Sequence, residues 1–225
     1  MRVLAGSPLT RELSPDDRRE LNGHLSAWSW AEGDPLVLAG DQLAGSYLVV
    51  SGRVRVTRDT VEGREITLDI AAPGDTVGPL RTEPAVATES AWAMETTCAL
   101  FLPADSLAEV VGDHPEFALA LMRMQQERLT QARDREIGHA TRSVEQRVGS
   151  ALHYLDRKLG STQRDGSSLL QVRLRRDDIA GLAGTTVESA SRAMARMKKR
   201  GVIDSGREWV SVLDPAALED LIAGE

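Results

Sequence analysis

The segment Arg175 to Met197 reads RRDDIAGLAGTTVESASRAMARM. Within it, Glu188, Ser191 and Arg192 stand at i, i+3 and i+4, so a helix would carry them on one face. An arginine fork bonds bidentately to guanine O6 and N7, and a carboxylate accepts from cytosine N4. A glutamate turned toward a polyanion is repelled unless it meets a specific donor, which makes Glu188 more telling than another lysine. Arg175, Thr186, Arg196, Lys198, Lys199 and Arg200 surround the three. Cations and hydroxyls of this kind suit phosphate contacts, which position a duplex and supply salt-dependent affinity. From Arg173 to Glu208 there are nine basic and five acidic residues, a local +4 on a chain of net charge −7.

The flanking residues predict the elements that hold this face. Ile179, Leu182 and Ala183 form one apolar helix face, and Gly184 ends that helix in a tight turn. Thr186 can cap the next helix by accepting from a free backbone N–H, and Ala190, Ala193, Met194 and Met197 face inward. Two short helices joined by a glycine turn predict a helix-turn-helix. After Gly201, Val202-Ile203, the turn Ser205-Gly206-Arg207-Glu208 and Trp209–Leu213 predict a hairpin, the wing. Upstream, Val144–Leu159 is an amphipathic helix ended by Gly160, Arg164–Ser168 is a loop and Leu169–Leu174 alternates like a strand. Pro215 opens a last helix. Residues 143–225 are thus expected to form a winged helix-turn-helix DNA-binding domain.

Residues 115–142 predict one long helix, about 40 Å at 1.5 Å per residue, opened by Pro115. Ala118, Met122, Gln125, Leu129, Ala132, Glu136 and His139 are spaced 4, 3, 4, 3, 4, 3. That heptad seam predicts a parallel homodimer. Residues 1–114 predict a β-roll sensor-like domain. Apolar runs at Leu36–Leu38, Tyr47–Val50, Val54–Thr57, Ile66–Ile70, Ala91–Met94 and Ala99–Leu102 are punctuated by turn glycines. The expected class is α+β: roll, central dimerisation helix, winged helix-turn-helix.

The bulk composition narrows the function classes. The chain has 225 residues, 41% of them apolar and eight aromatic. No apolar run approaches the roughly 18 residues of a membrane span, and the N-terminus lacks the apolar core of a signal peptide. The expectation is a cytoplasmic protein with no membrane partner. Cys98 is the only cysteine, which excludes an internal disulfide, a cysteine-built zinc site and a four-thiolate iron–sulfur cluster within one chain. It reads as a small buried residue of a strand. No phosphate-cradling loop, G-x-S-x-G or H-E-x-x-H occurs. Neither an enzyme, a resident metal nor a cofactor is expected.

From about residue 28 to 214 the chain resembles the CRP/FNR transcription regulators. The resemblance rests on the roll glycines Gly33, Gly40, Gly52, Gly63, Gly74 and Gly78, the Pro-Gly-Asp and Val-Gly-Pro-Leu region, the long helix, Arg147 and the helix-turn-helix. Gly-Thr-Thr-Val-Glu-Ser-Ala-Ser-Arg is most similar to the FNR branch; the cyclic-AMP branch has arginine where this chain has Val187. The resemblance implies that Glu188, Ser191 and Arg192 read a TTGA-type half-site within a palindrome near TTGA(C/T)-N4-(G/A)TCAA. It also implies RNA polymerase as a second partner, through the Arg164–Ser168 loop. Family cyclic-nucleotide pockets use Gly-Glu-Leu and an Arg-Ser/Thr pair. Here those positions read Gly78-Pro79-Leu80 and Glu89-Ser90, and the adenine-contacting hydroxyl pair falls on Ala132 and Arg133. The expected regulator therefore acts without cyclic AMP, and with no effector as the leading reading. Two alternatives stay open. One is an effector-gated sensor, taking haem at His24, His114, His139 or His153, or a small anion at Arg81, Arg123, Arg128 or Arg133. The other is a ligand sensor that acts through protein contacts.

Overall fold

The computed structural model describes residues 7–224 and divides the chain into two compact units. The first comprises residues up to 63 and 69–131; the second comprises 64–68 and 132 onward.

In the first unit, helix α1 (Pro15–Gly23) opens on a reciprocal cap: Asp17 N–H donates to Ser14 Oγ (3.1 Å) and Ser14 N–H to Asp17 Oδ2 (3.2 Å). Strands follow as β1 (Ser26–Trp30), β2 (Pro35–Val37), β3 (Gln42–Leu43), β4 (Gly45–Ser51), β5 (Val54–Asp59), β6 (Glu65–Ala71), β7 (Thr76–Val77), β8 (Ala85–Val86), β9 (Ser90–Ala93) and β10 (Thr97–Pro103). They form sheets in the orders β1-β10-β4-β7, β2-β9-β5-β6 and β3-β8. Alternation along β4 shows how one sheet serves two cores. Val49 packs inside the roll with Val37, Val54, Val77 and Ala91. Leu48, next to it, points to the other face and packs with Leu102, with Leu107 and Val110 of α2 (Ala104–Asp113), and with Phe117 and Ala120 at the start of α3 (Pro115–Thr141). Cys98 lies in β10 beside a register shift and is half-buried rather than buried.

The second unit is built on α4 (Val144–Leu159), which Ser143 and Gln146 cap reciprocally. Its buried stripe Val148, Leu152 and Leu155 packs against α5 (Arg176–Leu182), α6 (Val187–Lys199) and α7 (Pro215–Ala223). A four-stranded sheet, β11 (Ser161–Thr162), β12 (Ser168–Leu170), β14 (Val210–Val212) and β13 (Ile203–Ser205) in that order, closes the core. The β13–β14 hairpin is the wing, in register Ile203↔Val212 and Ser205↔Val210. The strand expected over Leu169–Leu174 stops at Leu170, because the chain turns where Leu174 N–H donates to Val172 O.

Candidate nucleic-acid interface

α5 and α6 are positioned by three local devices. Asp178 Oδ2 accepts the N–H of Arg175 (2.8 Å) and fixes the start of α5. Gly184, at φ +57°, turns the chain between the helices in a conformation that glycine takes without steric cost. The ring of His139 lies against Gly184 in the space that a Cβ there would occupy. Thr186 Oγ1 then accepts from Ser189 N–H (3.3 Å) as the cap of α6. Arg147 ties the turn to α4, donating to Ala183 O through Nε and to Arg142 O through Nη1, each at 3.0 Å.

Ala190, Ala193, Met194 and Met197 are buried. That leaves Glu188 and Arg192 exposed and Ser191 half-exposed on the outer side of α6. Arg192 Nη2 donates to Ser189 Oγ (3.1 Å), which supports the guanidinium from one turn back. The Glu188 carboxyl is held below the ordinary carboxylate range. Its own backbone N–H is the largest cause, followed by the Thr186 hydroxyl and the charges of Arg192 and Arg64. Glu188 is therefore an acceptor throughout the neutral range, as cytosine N4 requires.

The surrounding cations are not equivalent. Arg196 Nε pairs with Glu145 Oε2 at 2.6 Å, and Arg200 Nη1 reaches Glu145 Oε1 at 3.5 Å. Lys198 Nζ stands 2.5 Å from Asp204 Oδ1 and draws the Asp204 carboxyl below its ordinary range. Arg175 Nη2 lies 3.6 Å from Glu65 Oε1 and 3.7 Å from Asp178 Oδ1. Lys199 is exposed at the end of α6. Lys198–Asp204 and Arg175–Glu65 are exposed on both sides, and such pairs are worth about 0–1 kcal/mol each, so a phosphate can displace those two carboxylates, whereas Glu145 is largely covered and Asp178 is buried. Sequence reasoning missed Glu145, 51 residues from Arg196, because nothing local marks it as the partner. Arg176 was missed as well; it donates to Ser205 Oγ (3.3 Å) and braces the wing.

Along α3, Leu119 (57% exposed), Met122 (67%), Leu129 (45%) and Ile137 (59%) form an apolar stripe open to solvent. Gln125, Ala132, Glu136 and His139 are also exposed, whereas Ala118 is half-buried. The stripe thus includes Met122 and Leu129 of the predicted seam and adds Leu119 and Ile137. His139 is engaged with the Gly184 turn. Of the remaining candidate ligands, His114 is buried at the end of α2, 4.0 Å from Glu20, and Arg123 pairs with Glu12 (2.7 Å). Arg128 donates to Thr76 O (2.9 Å). Among the described residues no three His, Cys, Asp or Glu side chains converge as metal ligands, and no helix is long and apolar enough to cross a membrane.

Residues 146–221 match the Crp-like helix-turn-helix domain model and residues 27–114 the cyclic nucleotide-binding domain model. The CRP-like cAMP-activated global transcriptional regulator of Mycobacterium tuberculosis is 32% identical over 93% of this chain and 88% of its own length. The chain belongs to the CRP/FNR family of transcription regulators. The cyclic AMP receptor protein of Thermus thermophilus is 30% identical over 98% of this chain and 99% of its own. FixK2 from Bradyrhizobium japonicum has the same fold, with a TM-score of 0.76 at 24% identity over 88% of this chain and 96% of that one. CRP/FNR proteins are DNA-binding regulators rather than enzymes, and the helix pair around Gly184 is the family's DNA-binding element.

The family's cyclic-nucleotide pocket can be tested on the residues present. Where it has a carboxylate, this chain has Pro79, whose backbone oxygen accepts from Ser46 Oγ (2.7 Å). Where it has an arginine, this chain has Glu89, an exposed carboxylate. Ser90 Oγ already accepts the N–H of Ala39 (3.0 Å). With no carboxylate for the ribose, and a carboxylate where the cyclic phosphate needs a cation, these residues do not fit a cyclic nucleotide.

Proposed function

We propose that this chain is a homodimeric regulator that reads a palindromic TTGA-like operator without cyclic AMP and with no effector required. The observation that carries the reading is the outer face of α6. There Glu188, Ser191 and Arg192 stand together above a buried apolar face and beside phosphate-ready cations. Arg192 reads guanine, Glu188 reads cytosine N4, and Ser191 completes the half-site. Thr186, Arg175, Arg196, Lys198, Lys199 and Arg200 hold the backbone. Two copies joined along Met122, Leu129 and the adjoining apolar stripe of α3 present two such faces, and two-fold symmetry demands a palindrome with half-sites about one helical turn apart. The departures at Pro79 and Glu89 support independence from cyclic AMP, although the Mycobacterium relative is named as cAMP-activated. The Arg164–Ser168 loop is the proposed contact to RNA polymerase; Asp165 accepts from the backbone and hydroxyl of Ser167 and gives the loop a fixed shape.

The test is fluorescence anisotropy with no added ligand, on a TTGAC-N4-GTCAA duplex and a scrambled one at near-physiological salt. A preference of about a thousandfold or more, the lower end for specific binders, is expected. Equal, weak, salt-sensitive binding to both duplexes would overturn the half-site or the independence from effector. Adding candidate effectors then separates those two failures.

A further inference from the structure

The first turn of α4 touches the helix-turn-helix at two places. The reciprocal cap of Ser143 and Gln146 fixes that turn. Arg147 reaches Ala183 O, just ahead of the Gly184 turn. Glu145, two residues earlier, reaches the far end of α6. Its Oε2 accepts from Arg196 Nε at 2.6 Å, and its Oε1 accepts from Arg200 Nη1 at 3.5 Å. One carboxylate thus serves two guanidinium groups, one on each oxygen. The Glu145 side chain is 21% exposed, against 53% for Arg196 and 55% for Arg200. The carboxylate is the covered member of the trio, and the two cations are the open ones.

Arg196 and Arg200 stand four residues apart, the second as the helical C-cap of α6, so they share a face where like charges repel. A carboxylate between them relieves that repulsion and draws both groups to one place. A guanidinium has five N–H donors, and each bond to Glu145 uses one, which leaves most of each fork for a phosphate. A free arginine also loses rotamer freedom when it meets a ligand, and one already held loses less. Against these gains stands one negative charge near a polyanion. That charge is paired with two cations, and at physiological salt its reach is limited to about 8 Å. Orientation therefore outweighs repulsion.

We propose that Glu145 is a positioning residue for the DNA backbone: it holds Arg196 and Arg200 side by side in the arrangement that receives phosphate, and it stays paired with them in the complex. The proposal rests on the assignment of those two arginines to phosphate but not on the operator sequence. Its consequence has the opposite sign to that of charge alone, because removing a carboxylate beside a polyanion then weakens binding. Two variants reach the trio by different routes. Glu145→Gln removes the charge at unchanged size. Arg196→Lys with Arg200→Lys keeps both positive charges and loses the planar forks that share the carboxylate.

The experiment titrates the full-length chain onto the TTGA palindrome and the scrambled duplex at several salt concentrations, with thermal unfolding as the check on folding. Glu145→Gln is expected to bind both duplexes about tenfold more weakly, within the range for residues in contact, and to keep the ratio between them. The lysine pair is expected to lose a similar amount. In a chain already carrying Arg196→Gln and Arg200→Gln, adding Glu145→Gln is expected to change affinity by no more than about twofold. Unchanged or tighter binding by Glu145→Gln overturns the proposal; a steeper salt slope with it would make Glu145 a competitor of phosphate. An undiminished tenfold loss in the chain without the two arginines also overturns it, because Glu145 would then act through the fold alone. Should Glu145→Gln fail to fold, the lysine pair decides, and parent-like binding by that pair overturns the proposal. A wrong phosphate assignment shows itself separately, as parent-like binding by Arg196→Gln with Arg200→Gln, and takes the proposal with it.

Discussion

The outer face of α6 and the corner of the roll at Gly78–Leu80 occupy positions that matter in the same family, and their chemistry differs. On α6 the side chains proposed to read DNA stand ready for it: Arg192 is braced by Ser189, Glu188 is held ionised, and the apolar underside leaves only one way to face out. At the roll corner the positions that would hold a nucleotide carry Pro79, Glu89 and an already engaged Ser90. On the proposed reading, one chain carries a surface suited to DNA and, elsewhere, a ligand corner whose charges oppose a cyclic nucleotide. Function has to be read from the side chains at each place rather than from the fold.

The comparison breaks most severely if α6 cannot act in pairs. Met122→Asp together with Leu129→Asp places two carboxylates on the open stripe of α3, where a second copy would have to bury them. The expected result is a monomer by analytical ultracentrifugation and a loss of operator preference of about a thousandfold, the whole advantage of a specific site over a random one. Retention of a dimer would move the interface off this stripe. A monomer with intact preference would show that one reading face suffices.

Next in size is the division of labour within the face. Arg192→Ala is expected to cost about 1–3 kcal/mol on the palindrome and to relax the preference at one base pair. Lys199→Ala is expected to weaken binding to all duplexes alike and to reduce the salt slope by about one phosphate contact. The two are separated by titrating each variant on the operator, on single-base variants of it and on scrambled DNA at several salt concentrations. A uniform loss from Arg192→Ala would reduce that residue to a backbone contact.

The reading head was legible in the sequence because its signals are local. Gly184, the Thr186 cap and the apolar spacing Ala190, Ala193, Met194, Met197 lie within a few residues of what they organise. The long helix over 115–141 was legible for the same reason. Strand β1, Ser-Ala-Trp-Ser-Trp, was not: it is a short edge strand with little buried surface, and its single alternation, Trp28 and Trp30 about Ser29, is too brief to mark it. Leu119 and Ile137 were missed because a strict heptad count fixes one line along a helix, while the buried side of α3 decides which line stays open. The Glu145 clamp and the Thr67–Asp178 bond join residues 51 and 111 positions apart. Only the folded chain brings such pairs together.

The smallest expected effect is a null one, and it sharpens the comparison from the side of the roll. A ligand that binds only the folded state at a hundred times its dissociation constant raises stability by about 2.7 kcal/mol, which appears as a shift of several degrees in thermal unfolding. Cyclic AMP at millimolar concentration is expected to leave both the unfolding temperature and operator affinity of this chain unchanged. The cause is specific: Pro79 supplies no carboxylate to the ribose, and Glu89 repels the cyclic phosphate. Pro79→Glu with Glu89→Arg replaces those two side chains and leaves α6 untouched, so its operator binding without ligand should match the parent. If those two positions are what bars the nucleotide, the double variant gains a thermal shift with cyclic AMP that the parent lacks. A shift in the parent would show that the corner holds the nucleotide by other groups, and the contrast between the two regions would fail.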